Sequence, residues 1–530
     1  MRVNGSVQLM PLLRIAMAMI LGMVVCHELG GLMWYEVTEG GVLTGRLLVK
    51  GCLCLLLVSL GVAWLCRSRA VVQSVALLMG AFFMGGCLMA MAESRMDAEV
   101  PVEEQLYKAV LVSEPMERGK VVRCDLMLTT GSLAGRKVKA SILKDTVARN
   151  YLRLHVGDGI IASSIMEQPE EKGSVANSYT HFNYGAYLRS NGFVATTFIF
   201  WSSWQKAVVD LSSLSLLQRT RLAALRVRQR ILDRVGTMGM EEQDYAVVAA
   251  MTLGEKSKLS RDTREEYARS GASHVLALSG LHLGIIYMML SLLIGYRRHR
   301  LLGECVLLLS IWAYVFIVGL PASAVRAAIM LTLYGLVGLG NRDKMSLNTL
   351  SFAAILMLVV NPMLLYDVGF QLSFLSVAGI VVCYRPFYEL LPLSWRHYYI
   401  IRYVWGMLVV SLCAQLATAP LVAYYFGRFA CYGLLTNFVV IPLATVILWL
   451  AALLLVCFPL GFLRMLVAKA LVWVAGLLNG TMAWIASLPG ASVEGISISR
   501  LQVMLLYVAV GCFLAAAIVC SNSFSRKRGV

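Results

Sequence analysis

Residues 12–29 read LLRIAMAMILGMVVCHEL, an almost unbroken apolar run. A helix needs about 20 such residues to cross the hydrocarbon core of a bilayer, which is about 30 Å thick. The run is too long for the apolar segment of a cleaved signal peptide, and further runs of the same kind follow it. We therefore interpret residues 12–29 as a retained transmembrane helix.

The composition of the whole chain agrees with a membrane protein. Of its 530 residues, 59% are hydrophobic and only 15% are charged, and the mean hydropathy is +0.72. Soluble domains carry about 25% charged residues, so much of this surface must face lipid. The net charge of +17 is high for so apolar a chain. Basic cytoplasmic loops explain part of it, and any excess outside indicates a polyanionic partner.

Hydropathy predicts an α-helical polytopic membrane protein with about twelve spans. Three spans form an amino-terminal group within residues 1–92, and nine follow a polar insert at about 93–270. The predicted spans are 12–30, 46–65, 70–92, 275–295, 302–320, 323–340, 347–361, 367–384, 403–425, 433–456, 465–487 and 500–520.

The distribution of charge assigns the two sides of the membrane. Arg2 and Arg14 place the amino end inside, and the acidic loop with Glu36 and Glu39 lies outside. If successive loops lie on alternate sides of the membrane, all the remaining basic loops fall inside. These loops contain Arg67, Arg69, Arg297, Arg298, Arg300, Arg342, Lys344, Arg385, Arg396, Arg402, Arg464 and Arg526 to Arg528. We predict an inner (cytoplasmic) membrane protein with both termini in the cytoplasm and the insert outside.

Residues 93–204 have the pattern of short strands. Apolar and polar residues alternate in 120–130 and in 137–143, where Lys137 and Lys139 occupy the polar positions. About five such strands, with glycine-containing turns, suit a small OB-like β-barrel. A generic β-sandwich is the alternative.

Residues 205–270 are predicted to be helical. The segment Leu214–Val235 combines apolar residues at helical spacing with a basic face of Arg219, Arg221, Arg226, Arg228, Arg230 and Arg234. An amphipathic helix of this kind lies on an anionic surface or contacts phosphates. We predict that these helices lie at the outer membrane surface; contact with lipid headgroups alone is the plain alternative.

The most distinctive local sequence is SHVLALSGLHLG, Ser273–Gly284, at the start of the fourth span. Polar groups at membrane depth normally face protein or a water-filled cavity, and glycines allow close packing or a break in the helix. His274, Ser279, Gly280 and His282 therefore fit a channel wall or ordinary helix packing. An intramembrane hydrolase with Ser279 as nucleophile and His282 as base is a third interpretation, but no oxyanion motif accompanies it.

Three further spans also begin with polar residues. They contain Arg326, then Asp367 with Gln371 and Ser373, and then Asn437. Arg326 either extends outward to the interface or presents its guanidinium to a passing phosphate. All four starts lie in the outer half by the predicted topology, which indicates a shared aqueous path.

Several motifs are missing from the sequence. It contains no H-x-H-x-D-H zinc motif, and GEKS at 254–257 is not a phosphate-binding loop, because the glycine and lysine are not adjacent. We therefore expect no catalytic residues, no metal site and no cofactor, and we do not expect an enzyme.

These four clusters, in this order, resemble the ComEC family of competence proteins, the DNA-uptake channels of naturally transformable bacteria. The resemblance covers nearly the whole chain. It rests on HVLALSGLH at 274–282, PASAVR at 321–326, DVGFQLS at 367–373, PLVAYYFG at 420–427 and FNYGAYLRSNG at 182–192.

The resemblance implies a channel at 271–530 that passes single-stranded DNA into the cytoplasm during natural transformation. The OB-like domain and Arg219, Arg226, Arg230, Lys137 and Lys139 would guide the strand. Many members carry a carboxy-terminal metallo-β-lactamase-like domain, and this chain ends soon after its last span. We therefore expect a variant without that domain, and a separate nuclease if one strand is degraded.

Energetics predict further partners. Each phosphate that moves against 100 mV costs about 2.3 kcal/mol, so we expect a separate cytoplasmic motor ATPase or strand-binding protein, with an extracytoplasmic DNA receptor. A small-molecule or ion transporter is the main alternative function, although the inverted repeats that such proteins often carry are not detected.

Overall fold

The computed structural model describes residues 10–36, 41–96, 100–169 except 102, 146 and 148, 181–210, 214–294 except 237 and 239, 300–339, and 346–527 except 393. Part of the predicted sidedness rests on residues outside this set, namely Arg2, Glu39, Arg297, Arg298, Arg342, Lys344 and Arg528.

The amino-terminal region is a bundle of three helices at the predicted positions. Helix α3 packs along both α1 and α2. A Cβ at Gly22 would lie 1.9 Å from the carbonyl oxygen of Phe82, and one at Gly85 would lie 2.1 Å from that of Met19. Only glycine permits so close an approach of two helices. The helices are α1 (Pro11–Glu36), α2 (Gly41–Leu65) and α3 (Ala70–Met96).

A mixed β-sheet follows, with the order β6-β7-β4-β3-β1-β5-β8, and β2 also pairs with β3. All pairs are antiparallel except β4 with β7. Among the described residues the sheet is not a closed barrel. The strands are β1 (Gln105–Leu111), β2 (Met116–Arg118), β3 (Val121–Leu128), β4 (Lys137–Leu143), β5 (Gly159–Ser164), β6 (Met166–Glu167), β7 (Phe193–Ile199) and β8 (Trp204–Ala207), with helix α4 (Tyr184–Ser190) before β7.

The predicted alternation is confirmed in β4. Val138, Ala140 and Ile142 are fully buried in the core of the sheet domain, whereas Lys137 and Lys139 lie on its outer face. The turn between β3 and β4 contains Gly131 and Gly135 at φ of 94° and 77°, backbone conformations that favour glycine.

Three helices connect the sheet to the remaining bundle: α5 (Leu216–Gly236), α6 (Glu242–Leu253) and α7 (Arg261–Arg269). Leu222 and Leu225 of α5 pack against Val110, Met127 and Val156 of the sheet domain. Helix α5 therefore supports the sheet.

Two details of the predicted surface helices need correction. The six arginines of α5 do not share one exposed face, because Arg228 is buried and bonded to Glu255. Helix α6 is also not a surface helix: Asp244–Met251 are buried, mostly against apolar residues of the membrane bundle.

Nine apolar helices follow in the part of the chain that the structure describes, each at a predicted span. They are α8 (Gly280–Ile294), α9 (Arg300–Ile317), α10 (Ala322–Leu339), α11 (Leu347–Val360), α12 (Val368–Tyr388), α13 (Tyr399–Phe426), α14 (Gly433–Val456), α15 (Gly461–Ser487) and α16 (Arg500–Lys527).

Seven helices among the described residues are long and apolar enough to cross a membrane: α1–α3 and α12–α15. Helices α8 to α11 and the apolar part of α16 are shorter. The chain is thus a polytopic helical membrane protein with a mixed-sheet domain, and the count of twelve spans stays a prediction.

Candidate functional site

The candidate residues of the membrane bundle lie at helix ends that meet the sheet domain. The ring of His181, just before α4, stacks on Tyr424 near the end of α13 at a centroid distance of 4.6 Å. On the other side, Nε of Arg221 in α5 donates a hydrogen bond of 2.9 Å to the carbonyl oxygen of Gly319. The sheet domain and α5 therefore cover this end of the bundle.

Arg326 and Asp367 form a buried ion pair beneath this cover. Nη1 of Arg326 lies 3.4 Å from Oδ1 of Asp367, and the two residues are 5% and 7% exposed. Asp367 also caps α12, because its Oδ1 accepts a hydrogen bond of 2.7 Å from the amide of Phe370. Gly369 leaves room for the pair, since a Cβ there would lie 2.9 Å from Nη2 of Arg326.

Gln371 extends this group by one turn of α12. Its amide nitrogen donates to the carbonyl oxygen of Leu365 at 2.8 Å, and the Tyr425 hydroxyl donates to its Oε1 at 2.9 Å. Ser373 lies half-buried two residues further along the helix. We call Arg326, Asp367, Gln371 and Tyr425 the Arg326 cluster.

The histidine motif forms a second group at the start of α8. Nδ1 of His282 lies 3.0 Å from the hydroxyl of Ser279 and accepts from the Ser279 amide at 3.3 Å. This assigns the proton of the neutral ring to Nε2. His282 is fully buried, whereas His274 is exposed. A Cβ at Gly280 would lie 3.8 Å from Ala327, so this motif packs beside the residue that follows Arg326.

Asn437 is bonded separately from these two groups. Its Nδ2 donates a hydrogen bond of 3.2 Å to the hydroxyl of Ser411 in α13. Arg326 and Asp367 thus form an ion pair, with Gln371 one turn further along α12. Ser279 and His282 form a separate pair at the start of α8. Asn437 is bonded to α13 instead of to either group.

Unsatisfied polar atoms concentrate at this end of the bundle. Among the described side chains, five buried nitrogen or oxygen atoms lack a hydrogen-bond partner. Four of them belong to His282 (Nε2), Arg326 (Nε), Tyr366 (hydroxyl) and Asn437 (Oδ1), and the fifth is Nε of Arg228 in α5. The first three are donors. Nearly all buried polar groups in proteins are hydrogen-bonded, so such a concentration requires an explanation.

A basic surface lies on the outer face of the sheet. Nζ of Lys139 lies 2.6 Å from Oδ1 of Asp125, and Nζ of Lys137 lies 3.4 Å from Oδ2. Lys137 also lies 3.9 Å above the ring of Phe193. Burial lowers the pKa of Lys137, and the Asp125 carboxylate opposes this shift.

Tyr187 of α4 connects the basic surface with the Arg326 cluster. Partial burial raises the pKa of its hydroxyl, and the carboxylates of Asp367 and Asp125 raise it further.

The predicted arginine candidates of α5 stay at the surface. Arg219, Arg226 and Arg230 are exposed, and at about 100° per residue they lie within a narrow sector of the helix. Nη2 of Arg226 donates to the carbonyl oxygen of Gly157 at 3.1 Å, which ties this sector to the sheet domain.

Two polar features were missed by sequence reasoning. Tyr366 lies next to Asp367, and its ring centroid is 4.3 Å from that of His27 in α1. Glu304 is a buried carboxylate in α9 that accepts a hydrogen bond of 3.0 Å from Tyr287. An acidic residue inside an apolar run was a usable signal for Glu304, whereas the contact between Tyr366 and His27 depends on tertiary packing.

No group of three or more His, Cys, Asp or Glu side chains within the described part of the chain has the arrangement of a metal site. The chemistry that the arrangement offers is hydrogen bonding and charge: buried donors at the end of a membrane bundle, covered by a domain with basic side chains. These features define a polytopic membrane protein with buried hydrogen-bond donors at the end of its helix bundle, beneath a domain with basic side chains.

Comparison with known proteins assigns the family. The competence protein family matches residues 251–519, just over half of the chain, and the chain therefore belongs to this family, the ComEC family. The match begins within α6, before the predicted domain boundary at 271.

Three relatives illustrate the similarity. The chain is 27% identical over 248 residues to ComE operon protein 3 of Bacillus subtilis (46% of this chain, 30% of the relative), and 22% identical over 264 residues to Recombination protein 2 of Haemophilus influenzae (46% and 31%). It is 30% identical over 201 residues to an uncharacterized protein of Aquifex aeolicus (38% and 45%). The matched segments thus span less than half of each relative. No solved structure matches the chain.

Proposed function

We propose that this protein takes part in competence DNA uptake, as an inner-membrane channel that passes single-stranded DNA into the cytoplasm. One observation carries the proposal: the unpartnered buried donors of His282, Arg326 and Tyr366 lie at one end of the membrane bundle. A phosphodiester strand supplies acceptor oxygens that such donors lack in the empty protein. The names of the Bacillus and Haemophilus relatives agree with this role.

The ion pair of Arg326 gives the path a balanced charge when no DNA is present. An isolated buried guanidinium is costly, and Asp367 offsets that cost. The long N–O distance of 3.4 Å leaves most of the guanidinium's hydrogen-bonding capacity unused. A phosphate that reaches Arg326 can therefore bind to it while Asp367 keeps its bond to the amide of Phe370.

The basic surface would deliver the strand to this point. Lys137 and Lys139 on the sheet, with Arg219, Arg226 and Arg230 on α5, carry positive charge over the covered end of the bundle. Phosphate contacts of this kind bind without regard to sequence, as an uptake protein requires.

We further propose that the sheet domain is OB-like. Strands β5 and β6 are separated by Ile165 alone; β5 pairs with β1 and β6 pairs with β7. If β5 and β6 act as one bent strand, the order around the sheet becomes β1-β3-β4-β7-β5/6 and returns to β1. Five strands in a partly open barrel are the OB arrangement.

The proposed topology retains twelve spans, with both termini in the cytoplasm and the sheet domain outside. Import against the membrane potential then requires a cytoplasmic motor ATPase or strand-binding protein. An extracytoplasmic DNA receptor and a separate nuclease complete the proposed set of partners. The proposed channel requires no hydrolytic reaction by this chain.

One contact favours a second candidate, an intramembrane serine hydrolase. The hydroxyl of Ser279 lies 3.0 Å from Nδ1 of His282, a distance suited to a nucleophile and its base. The Ser279 amide also binds this nitrogen, which equally makes the contact part of the start of α8. If purified protein hydrolyses a peptide or ester and Ser279→Ala abolishes that activity, the hydrolase is supported.

Uptake by proteoliposomes tests the channel. Purified protein is reconstituted with a strand-binding protein in the lumen and a valinomycin–potassium potential, positive inside. Labelled single-stranded DNA should become protected from added nuclease, and duplex DNA of equal length should not. Arg326→Gln should reduce protection at least about 100-fold, whereas exposed Arg385→Gln on the opposite end of α12 should not. Equal protection with empty liposomes would refute the channel.

A further inference from the structure

The outer face of the sheet contains a cleft of about 290 Å³. Two rows of side chains across β3, β4 and β7 lie at its base. The strand registers place Arg123 opposite Ser141 and Ser141 opposite Phe198; one step along, Asp125 is opposite Lys139 and Lys139 is opposite Thr196. Residues two apart on a strand share a face, so both rows point away from the apolar core.

Two walls enclose this base. Glu167 and Pro169 rise from β6 and the residues that follow it, and Tyr184 and Leu188 come from α4. Leu188 is only 2% exposed, which gives the cleft an apolar side next to its polar base. The cleft therefore lies between the sheet, the segment that follows β6, and α4.

The polar side of the cleft fits a phosphodiester group. Arg123 is exposed, and within the described part of the chain no carboxylate lies in ion-pair distance of it. Lys139 adds a second cation, partly offset by Asp125 at 2.6 Å. Ser141 and Thr196 add hydroxyl groups to the lining of the cleft. A guanidinium fork with a nearby ammonium and hydroxyls matches phosphate oxygens.

The other side of the cleft fits a nucleobase. Phe198 is 45% exposed, although it is a large apolar residue in a strand. Its ring contacts Phe200 edge-on at a centroid distance of 5.3 Å, and Tyr184 of α4 also lines the cleft. Exposed aromatic rings beside basic groups are the usual stacking platform for single-stranded nucleic acids. A volume near the lower limit of ligand pockets holds one nucleotide and not several.

We propose that this cleft is a single-nucleotide subsite, in which one unpaired base stacks between Phe198 and Tyr184 while its phosphate binds Arg123 and Lys139. This inference rests on the proposed function, since it assumes that a strand reaches the sheet domain. A base held in a duplex cannot enter the cleft. The subsite therefore selects unpaired DNA before the strand reaches the membrane.

Binding by the full-length protein in detergent tests the subsite. The probes are a fluorescein-labelled oligo-dT of 12 nucleotides, a duplex of the same length, and free dTMP as competitor. Phe198→Ala should weaken oligo-dT binding about 10-fold with an unchanged salt slope. Arg123→Gln should weaken it about 5-fold and make the salt slope shallower by about one. Exposed Trp201→Ala and Arg153→Gln on the same domain are the matched controls and should bind as the wild type does.

The possible results distinguish a failure of the proposed subsite from a failure of the proposed channel function. If the wild type binds oligo-dT and both cleft variants match their controls, the subsite is wrong and the channel stands. If the wild type binds no single-stranded DNA, the proposed function fails as well. If dTMP binds as tightly as oligo-dT and is lost in the same variants, the cleft takes free nucleotides and the strand subsite is refuted. Loss of the preference for single strands over duplex in Phe198→Ala supports it.

Discussion

Two buried arginine–carboxylate pairs occupy different regions of the molecule. Arg228 in α5 lies 2.8 Å from Glu255 and also donates to the carbonyl oxygens of Leu253 and Val318 at 3.4 Å each. Arg326 in α10 has only Asp367 as an acceptor among the described residues, at 3.4 Å. The first guanidinium has three protein acceptors and the second has one, although the Nε of each lacks a partner. The comparison indicates that Arg228 holds the fold together and that Arg326 is available to a ligand.

The largest expected difference is in stability. Arg228→Met leaves Glu255 buried without its cation and should lower the free energy of unfolding by about 3–5 kcal/mol. Arg326→Met should cost only about 1–3 kcal/mol, because it breaks one long contact of 3.4 Å, whereas Arg228→Met removes three acceptor contacts, one of them at 2.8 Å. Unfolding of the purified protein by titration with denaturing detergent measures both. Equal losses would make the two pairs equivalent and remove the argument for a ligand at Arg326.

The next effect is on DNA affinity. Asp367→Asn keeps an oxygen for the amide of Phe370 but removes the charge that competes with a phosphate. It should tighten binding of single-stranded DNA about 5-fold and slow its passage into liposomes. Glu255→Gln is the matched control and should leave affinity unchanged in the fraction that folds. An Asp367→Asn protein with wild-type affinity would contradict a role for this carboxylate in the path.

A smaller effect is expected from crowding the ion pair. The Cβ of Gly369→Ala would lie 2.9 Å from Nη2 of Arg326 and 3.1 Å from Oδ1 of Asp367, so the pair must shift. Uptake by proteoliposomes should fall about 3-fold. Gly284→Ala adds a methyl where nothing lies within 4 Å and should have no effect. If Gly284→Ala reduces uptake more than Gly369→Ala does, the geometry of the ion pair does not control uptake.

The last prediction concerns a different observable, the pH dependence of stability near Arg228. Burial, reinforced by the Glu255 carboxylate, raises the pKa of Glu114 from 4.5 to about 7. A raised pKa means that the folded state favours the protonated form, so stability should fall as the pH rises from about 4.5 to about 7. For a partly solvated group we expect a loss of about 1–2 kcal/mol across that range.

Glu114→Gln should remove this pH dependence, because the amide does not ionise. Hydrogen exchange of residues 105–128 at pH 5 and pH 8 measures it. The exposed Glu104→Gln protein should keep the wild-type profile. If the Glu114→Gln protein also keeps the wild-type pH dependence, a different group near Arg228 titrates.

The sequence predicted the elements that depend on local pattern. Hydropathy located helices such as α14 at 433–456, and alternation located β3 and β4. The same reasoning misplaced Arg228, because its partner Glu255 is 27 residues away and no periodicity reports such a contact. It also assigned α6 to the surface, since its short apolar run did not reveal burial inside the bundle.

The candidate site shows the same limit. Arg326, Asp367 and Gln371 were found because polar residues are rare in apolar runs. The ion pair between the first two joins α10 to the start of α12 across 41 positions, and Tyr425 reaches Gln371 across 54. Helix packing creates these contacts, so the sequence named the residues without their partners.

Photocrosslinking tests most directly whether DNA passes the Arg326 cluster. A benzophenone amino acid replaces Ser373, beside the cluster, or Trp473, which is 70% exposed on α15. Labelled single-stranded DNA is stalled in proteoliposomes by a bulky group at its trailing end. We predict a crosslink at position 373 that requires the inward potential and is absent at 473. Equal labelling at both positions, or none at 373 while uptake proceeds, would contradict the account.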